Sequence, residues 1–273
     1  MAKQPNRKPS KIRPVPLGLM RIPPALVTQR EFRQAHADRI AADLDLNKIG
    51  IPIINHRDGN YWVLDGQHRV AALKQFGFGD KDSIECEVFE DLTDAEMADI
   101  FLGRDARKPI PIYDKFHVAC TAGHKRERDI QRAVEVNGQK IARTQQDGIS
   151  AVGALGKVYD RSGDVVLGQV VRAINLGFGG DPSAFDAAVI EGLGLVFNRY
   201  NGKTNERELG ARLSDLRHGS KELLRKAEAI RMRTGNQKKQ CVAAAVVDIY
   251  NKGRAPFAKD RLPSWWKSAE TGA

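Results

Sequence analysis

Apolar positions change their period along the chain. In "IPIINHRDGNYWVLDG" two apolar runs, Ile51 to Asn55 and Tyr61 to Leu64, flank Asp58-Gly59, which predicts a β-hairpin. "SIECEVFE" sets Ile84, Cys86 and Val88 against Glu85, Glu87 and Glu90, a strand with one face in the core. Between them, residues 67–76 predict a helix that stops at Gly77. Upstream, Phe32, His36, Ile40 and Leu44 recur every four residues, one face of a helix in "REFRQAHADRIAADL", while Pro23 and Pro24 hold "GLMRIPPALV" extended. Thr93 with Glu96 three positions on is a capping box and starts a helix in "LTDAEMADIFLGR".

After about residue 107 strand signals vanish. Helices punctuated by glycine are predicted near 113–136, 148–160, 164–176, 182–200, 205–217, 219–233 and 238–251. No constant repeat runs through them, which excludes a solenoid. The fold class is therefore α+β: a small mixed-sheet domain over 17–112, then an all-α domain over 113–273, divided near the prolines of "RKPIPIY". Residues 1–16 carry four prolines and few apolar groups, and are expected to form a flexible basic arm. Trp265-Trp266, near the end, reads as a docked anchor.

Charge sharpens this division. The 273-residue chain carries 44 Lys and Arg against 34 Asp and Glu, a net charge of +10. Residues 1–107 balance at 16 of each sign, whereas residues 108–273 hold 28 cations and 18 acids. A regional excess of this kind points to a polyanion, and DNA is the expected partner. No apolar run spans a membrane and no apolar stretch follows the basic N-terminus, so neither a membrane partner nor a secretory signal is expected. Cys86, Cys120 and Cys241 are far apart and lack metal-ligand spacing, which suits reduced thiols of a cytoplasmic protein.

The candidate chemistry lies in "VLDGQHRVAALKQFG", Val63 to Gly77. A strand, a glycine and a helix start make an anion site, because first-turn N–H groups and the helix dipole point at the ligand. Gly66 lets a ligand approach the backbone, Gln67 and His68 add neutral donors, and Arg69 adds a planar cationic fork. Asp65 would repel phosphate, so its role is to orient Arg69 or His68 or to cap the helix. Arg30, Arg104, Arg107 and Lys108 lie at element ends where they would converge on the same anion, although each taken singly is an ordinary solvated cation.

These residues resemble the ParB/sulfiredoxin superfamily. Ile22-Pro23, Gln29-Arg30, the Ile51–Ile54 strand and Gly66-Gln67-His68-Arg69 with Ala71 and Ala72 follow its order, and the DGQHR spelling is that of DGQHR-domain proteins. The resemblance implies a nucleotide-binding N-terminal domain whose box, Gly66 to Arg69, takes the phosphates of CTP or another nucleoside triphosphate, with or without Mg2+. It also implies a helical DNA-binding part and a homodimer. A second box of that family supplies a glutamate, an asparagine and an arginine. Here the arginine falls on Arg107, while Gly103 and Arg104 stand at the other two positions, so hydrolysis is not expected. Sulfiredoxin chemistry is excluded because Gln67 stands where that branch has its cysteine, and Cys86 has no basic neighbour in sequence. Two other readings remain. One is a nucleotide-dependent enzyme, a small-molecule kinase with Glu31 as its nearest carboxylate, or a nuclease using Glu31, Asp58 or Asp65. The other is a non-hydrolysing, nucleotide-sensing interaction module.

Lys125, Arg126, Arg128, Arg132, Lys140 and Arg143 crowd "KRERDIQRAVEVNGQKIAR". With a glycine turn at Gly138 and a helix beyond, they suggest a helix-turn-helix-like DNA reader. "IRMRTGNQKKQ", Ile230 to Gln240, is a second basic stretch suited to phosphates.

Overall fold

The computed structural model describes residues 8–24, 27–104 and 111–266. The chain divides into two compact units, residues 1–125 and 126–273. Among the described residues no helix is long and apolar enough to cross a membrane.

The first unit is a mixed five-stranded sheet with helices on its faces. Its strands are β1 (Ser10–Pro16), β2 (Met20–Arg21), β3 (Ile53–Arg57), β4 (Asn60–Asp65) and β5 (Ser83–Glu90), and its helices are α1 (Gln34–Ala42), α2 (Gln67–Phe76), α3 (Asp94–Arg104) and α4 (Ile112–Thr121). The spatial order is β1-β5-β3-β4-β2. The β1/β5 and β3/β4 pairs are antiparallel, and the β3/β5 and β2/β4 pairs are parallel. Asp58 and Gly59 close the β3–β4 hairpin with φ of 53° and 72°, the positive pair that a type I′ turn requires.

Both sheet faces are buried, which is why "IPIIN" is a continuous apolar run. Ile54, Val63, Cys86 and Val88 pack on Val70 and Leu73 of α2. Their strand neighbours Ile53, Leu64 and Phe89 point the other way and pack with Leu92 and Met97. Asn55, fully buried, ties the turn after β5 to β3: its Nδ2 donates to the Leu92 carbonyl at 2.9 Å and the Leu92 N–H donates to its Oδ1 at 3.0 Å. The capping box is realised, with the Thr93 N–H donating to Glu96 Oε2 at 2.9 Å. Lys8, 2.7 Å from Glu96, is the first cause that holds that carboxyl down to about 2.

Two expectations are corrected here. The stretch expected as a flexible arm contains a strand: Ser10 to Pro16 pair with Phe89 to Ser83, and Val15 is buried. Prolines are tolerated because β1 is an edge, where a missing N–H breaks no ladder. Its polar residues answer the acids of β5, Ser10 donating to Glu87 at 2.8 Å and Arg13 to Glu90 at 2.8 Å. The division between units falls after Lys125 rather than near 107–113, because Val118 of α4 packs with Ala98 and Phe101 of α3.

The second unit is helical: α5 (Lys125–Glu135, whose first residue lies in the first unit), α6 (Val152–Phe178, kinked at Gly163), α7 (Ala187–Arg199), α8 (Glu206–Ser214), α9 (Gly219–Thr234) and α10 (Lys238–Asn251). The helix expected over 113–136 is thus two, broken at Gly123. Buried from Cys241 to Val247, α10 packs against α7 and α9. Trp265 docks: Arg199 donates to its carbonyl at 2.5 Å and lies 4.8 Å over its ring, while Trp266 stays exposed.

Replacing Asn55 with Ala strands the Leu92 N–H in the core. We expect Asn55→Ala to lower unfolding stability by about 2–3 kcal/mol, the cost of unpaired buried groups, read by urea denaturation; a loss below about 0.5 kcal/mol, the size of a neutral surface change, would remove Asn55 as the clip.

Candidate functional site

The box sits where β4 ends and α2 begins. Gly66 precedes the helix with φ 108°, ψ 12°, left-handed backbone that other residues adopt only under strain. A side chain there would also crowd Arg69, whose Nε would lie 3.2 Å from the added Cβ. The first helical bond runs from the Val70 N–H to the Gly66 carbonyl at 2.9 Å, and no side chain caps the turn. The N–H groups of Gln67, His68 and Arg69 are therefore the orphan donors of a ten-residue helix.

The side chains of the box serve the protein itself. Arg69 donates to Asp65 Oδ2 at 2.5 Å and to the Ile51 carbonyl at 2.9 Å, with the Ile49 carbonyl at 3.5 Å. Asp65 thus takes the first of the roles expected of it. Gln67 is buried and donates to the Arg30 carbonyl at 2.7 Å. Gln29, also buried, donates to the Val63 carbonyl at 3.0 Å. His68 accepts the Arg33 N–H at Nε2 (3.1 Å), so its own proton sits on Nδ1. The ring stacks on Phe32 at 5.1 Å and lies 4.7 Å from His36. Burial, then His36 and Arg30, hold the His68 pKa down to about 4, against the pull of Asp65. The fork expected to grip an anion is engaged, and the amide and imidazole use their polar atoms on backbone. What they leave open is the backbone of the turn.

The turn borders a cleft of about 980 Å3. Residues Asp65 to Arg69 line it together with Arg30, His36 and Arg39, and apolar walls come from Ile40, Ile100 and Phe101. Lys48 at the cleft is paired with Asp45 at 2.9 Å. Arg39 forms no ion pair with a described residue. It was missed because the four-residue spacing of α1 reads as a core face; that face borders the cleft instead, and a cation beside His36 and Ile40 was the available signal. Arg104 ends α3, and its side chain lies outside what is described; Arg107 and Lys108 lie outside the described residues. Among the described residues no group of three or more His, Cys, Asp or Glu side chains could hold a metal ion. Burial pushes the Cys86 thiol up to about 12, which leaves it inert as a nucleophile.

A protein-family description, "Family of unknown function (DUF6551)", matches residues 23–264. The chain belongs to that family. The DUF6551 match runs through both units and takes in the cleft and the basic helices alike. No curated protein matches the chain. Similar solved structures share low identity with the chain. One is a C-terminally truncated chromosome-partitioning protein ParB from Caulobacter crescentus complexed with CTP-gamma-S, 15% identical, covering 59% of this chain and 98% of that one, with a TM-score of 0.30. A Pnob8-like ParB-N domain is 12% identical over 84% of this chain and 98% of its own, with a TM-score of 0.41. The Caulobacter crescentus ParB complexed to the centromeric parS site is 14% identical over 85% and 98%, with a TM-score of 0.34.

In this DUF6551 chain the basic residues expected to read DNA are partly spoken for. Arg126 donates to both carboxylate oxygens of Asp160, at 2.6 and 2.7 Å, and to Glu127 at 2.7 Å. Arg132 is exposed and 3.8 Å from Asp129; Lys125, Arg128 and Lys140 are exposed, and Arg143 is half-buried. Residues 136–151, with a parallel bridge between Ile141 and Ile149, separate α5 from α6, so the short turn of a helix-turn-helix is not there.

The depressed His68 pKa carries a sign. Unfolded His68 binds a proton near pH 6.5 and the folded residue only near 4, so its contribution to stability is present above 6.5 and lost as pH falls towards 4. His68→Gln keeps an acceptor that does not titrate. The melting-temperature gap between wild type and variant should shift against wild type across pH 6.5 to 4; a gap constant across that range would contradict a buried neutral His68.

Proposed function

We propose that the first unit binds the phosphates of a nucleoside triphosphate, with CTP among the candidates, at the first turn of α2, and that the basic second unit contacts DNA, the whole acting as a ParB-like DNA-binding protein. The observation that carries the nucleotide half is the uncapped α2 turn at Gly66, whose residues line a cleft of about 980 Å3. Backbone N–H groups at a helix start suit phosphate oxygens, the dipole favours their charge, and Arg30 and Arg39 stand at the same cleft. Ile40, Ile100 and Phe101 suit the flat face of a base. The resemblance of Gln29-Arg30 and Gly66 to Arg69 to the ParB boxes supports the same reading. Binding is favoured over turnover, since Gly103 and Arg104 stand where that family's second box has Glu and Asn. The DNA half rests on the cation excess of residues 108–273, 28 against 18 acids, and on the same resemblance, which also implies a homodimer.

Calorimetric titration of the full chain with CTP, ATP and GTP tests the nucleotide half. At least one should bind, and Arg39→Ala should weaken it about tenfold, the worth of one charge-assisted hydrogen bond. Heat from none of the three would overturn it.

A further inference from the structure

The outward face of α9 is an exposed cationic surface of the second unit. On this 16-residue helix Ser220, Leu223, Ala227 and Ile230 are buried, and the helix packs on α10. At 3.6 residues per turn, Lys221, Arg225, Ala229 and Met232 fall on the opposite side, and Met232 is 81% exposed. Arg217 and His218, also outside the core, lie in the connection 215–218 that alone joins α8 to α9. The acids of α9 are taken up at its flanks, Glu222 by Lys226 at 3.5 Å and Glu228 by Arg231 at 3.3 Å. Arg217, Lys221 and Arg225 form no ion pair with a described residue. The contrast with α5 is direct, since Arg126 there is locked between Asp160 and Glu127.

We infer that α9, led in by Arg217 and His218, is the DNA-contacting helix of this chain, lying in the major groove of a duplex with Lys221 and Arg225 towards it. This rests on the DNA-binding reading above and moves it away from α5. α8 and α9 are joined by a four-residue connection, and α9 carries cations on its first turns, as a groove-reading helix does. A helix about 10–12 Å across fits a major groove about 12 Å wide. On α9, Lys221 and Arg225 stand one turn apart on one side, reaching phosphates or guanine edges, and Ala229 with Met232 gives the same side an apolar end for contact with thymine methyls. An acidic protein would ask for charge alone, whereas this face combines a cation row with small and apolar outward positions.

The test is anisotropy of a labelled mixed-sequence duplex against the full chain across a salt series. Wild type is compared with Lys221→Ala/Arg225→Ala and with a control pair in and just after α5, Arg132→Ala/Lys140→Ala; circular dichroism melts check that all three fold alike. The α9 pair should weaken binding by at least about tenfold and lower the salt slope by about 2, near 0.9 for each phosphate no longer neutralised. The control pair should stay within about twofold of wild type, as expected of charges off the interface. A weakened control pair with the α9 pair unchanged would overturn the inference and leave DNA binding standing. Wild-type binding that neither variant alters would do the same. A wild type that binds no duplex at any salt would overturn both.

Discussion

The guanidinium of Arg69 holds three stretches of chain in register. It reaches back to Asp65 at the end of β4 and sideways to the carbonyls of Ile51 and Ile49, on the stretch that leads into β3. With its side chain only 19% exposed, the clasp is shielded enough for charge and hydrogen bonding to count together. It fixes the angle at which α2 leaves the sheet. Gly66, pressed between Pro52 and Arg69, is the only residue type that passes through that turn without strain.

Once the turn is fixed, the rest of the site follows. Gln67 and Gln29 spend their amides on backbone carbonyls, and His68, held neutral by burial and by the nearby His36 and Arg30, accepts the Arg33 N–H. These bonds join the segment before α1 to the start of α2 and so shape one side of the cleft. A row of polar side chains that looks like a ligand set is a brace, and under the proposed function the phosphate contacts fall to the backbone of the turn. An acid can then stand beside the proposed phosphate site, because Asp65 is paired with the residue it orients.

Local patterns made the hairpin, α2, β5 and α3 legible, because a type I′ turn, a glycine stop, an alternating strand and a capping box each act within a few residues. What stayed hidden depends on distant partners. β1 was unreadable because its prolines argue against a strand, and only pairing with Glu87, Glu90 and their neighbours, over seventy residues on, makes one. Arg126 reads as a free cation until Asp160, from a later helix, closes on it. Arg39 was hidden by a periodicity that marks a covered face without saying whether protein or ligand covers it. The DGQHR box was visible as a strand-to-helix junction, but the bracing of its side chains against backbone depends on Ile51, Arg30 and Arg33, 18 to 37 residues away.

The most direct measurement follows the backbone amides themselves. In a 15N-labelled chain titrated with CTP, ATP or GTP, the amide signals of Gln67, His68 and Arg69 should shift most, while the Arg69 side chain keeps its Asp65 partner. A nucleotide that binds and leaves those three amides unmoved would contradict the account.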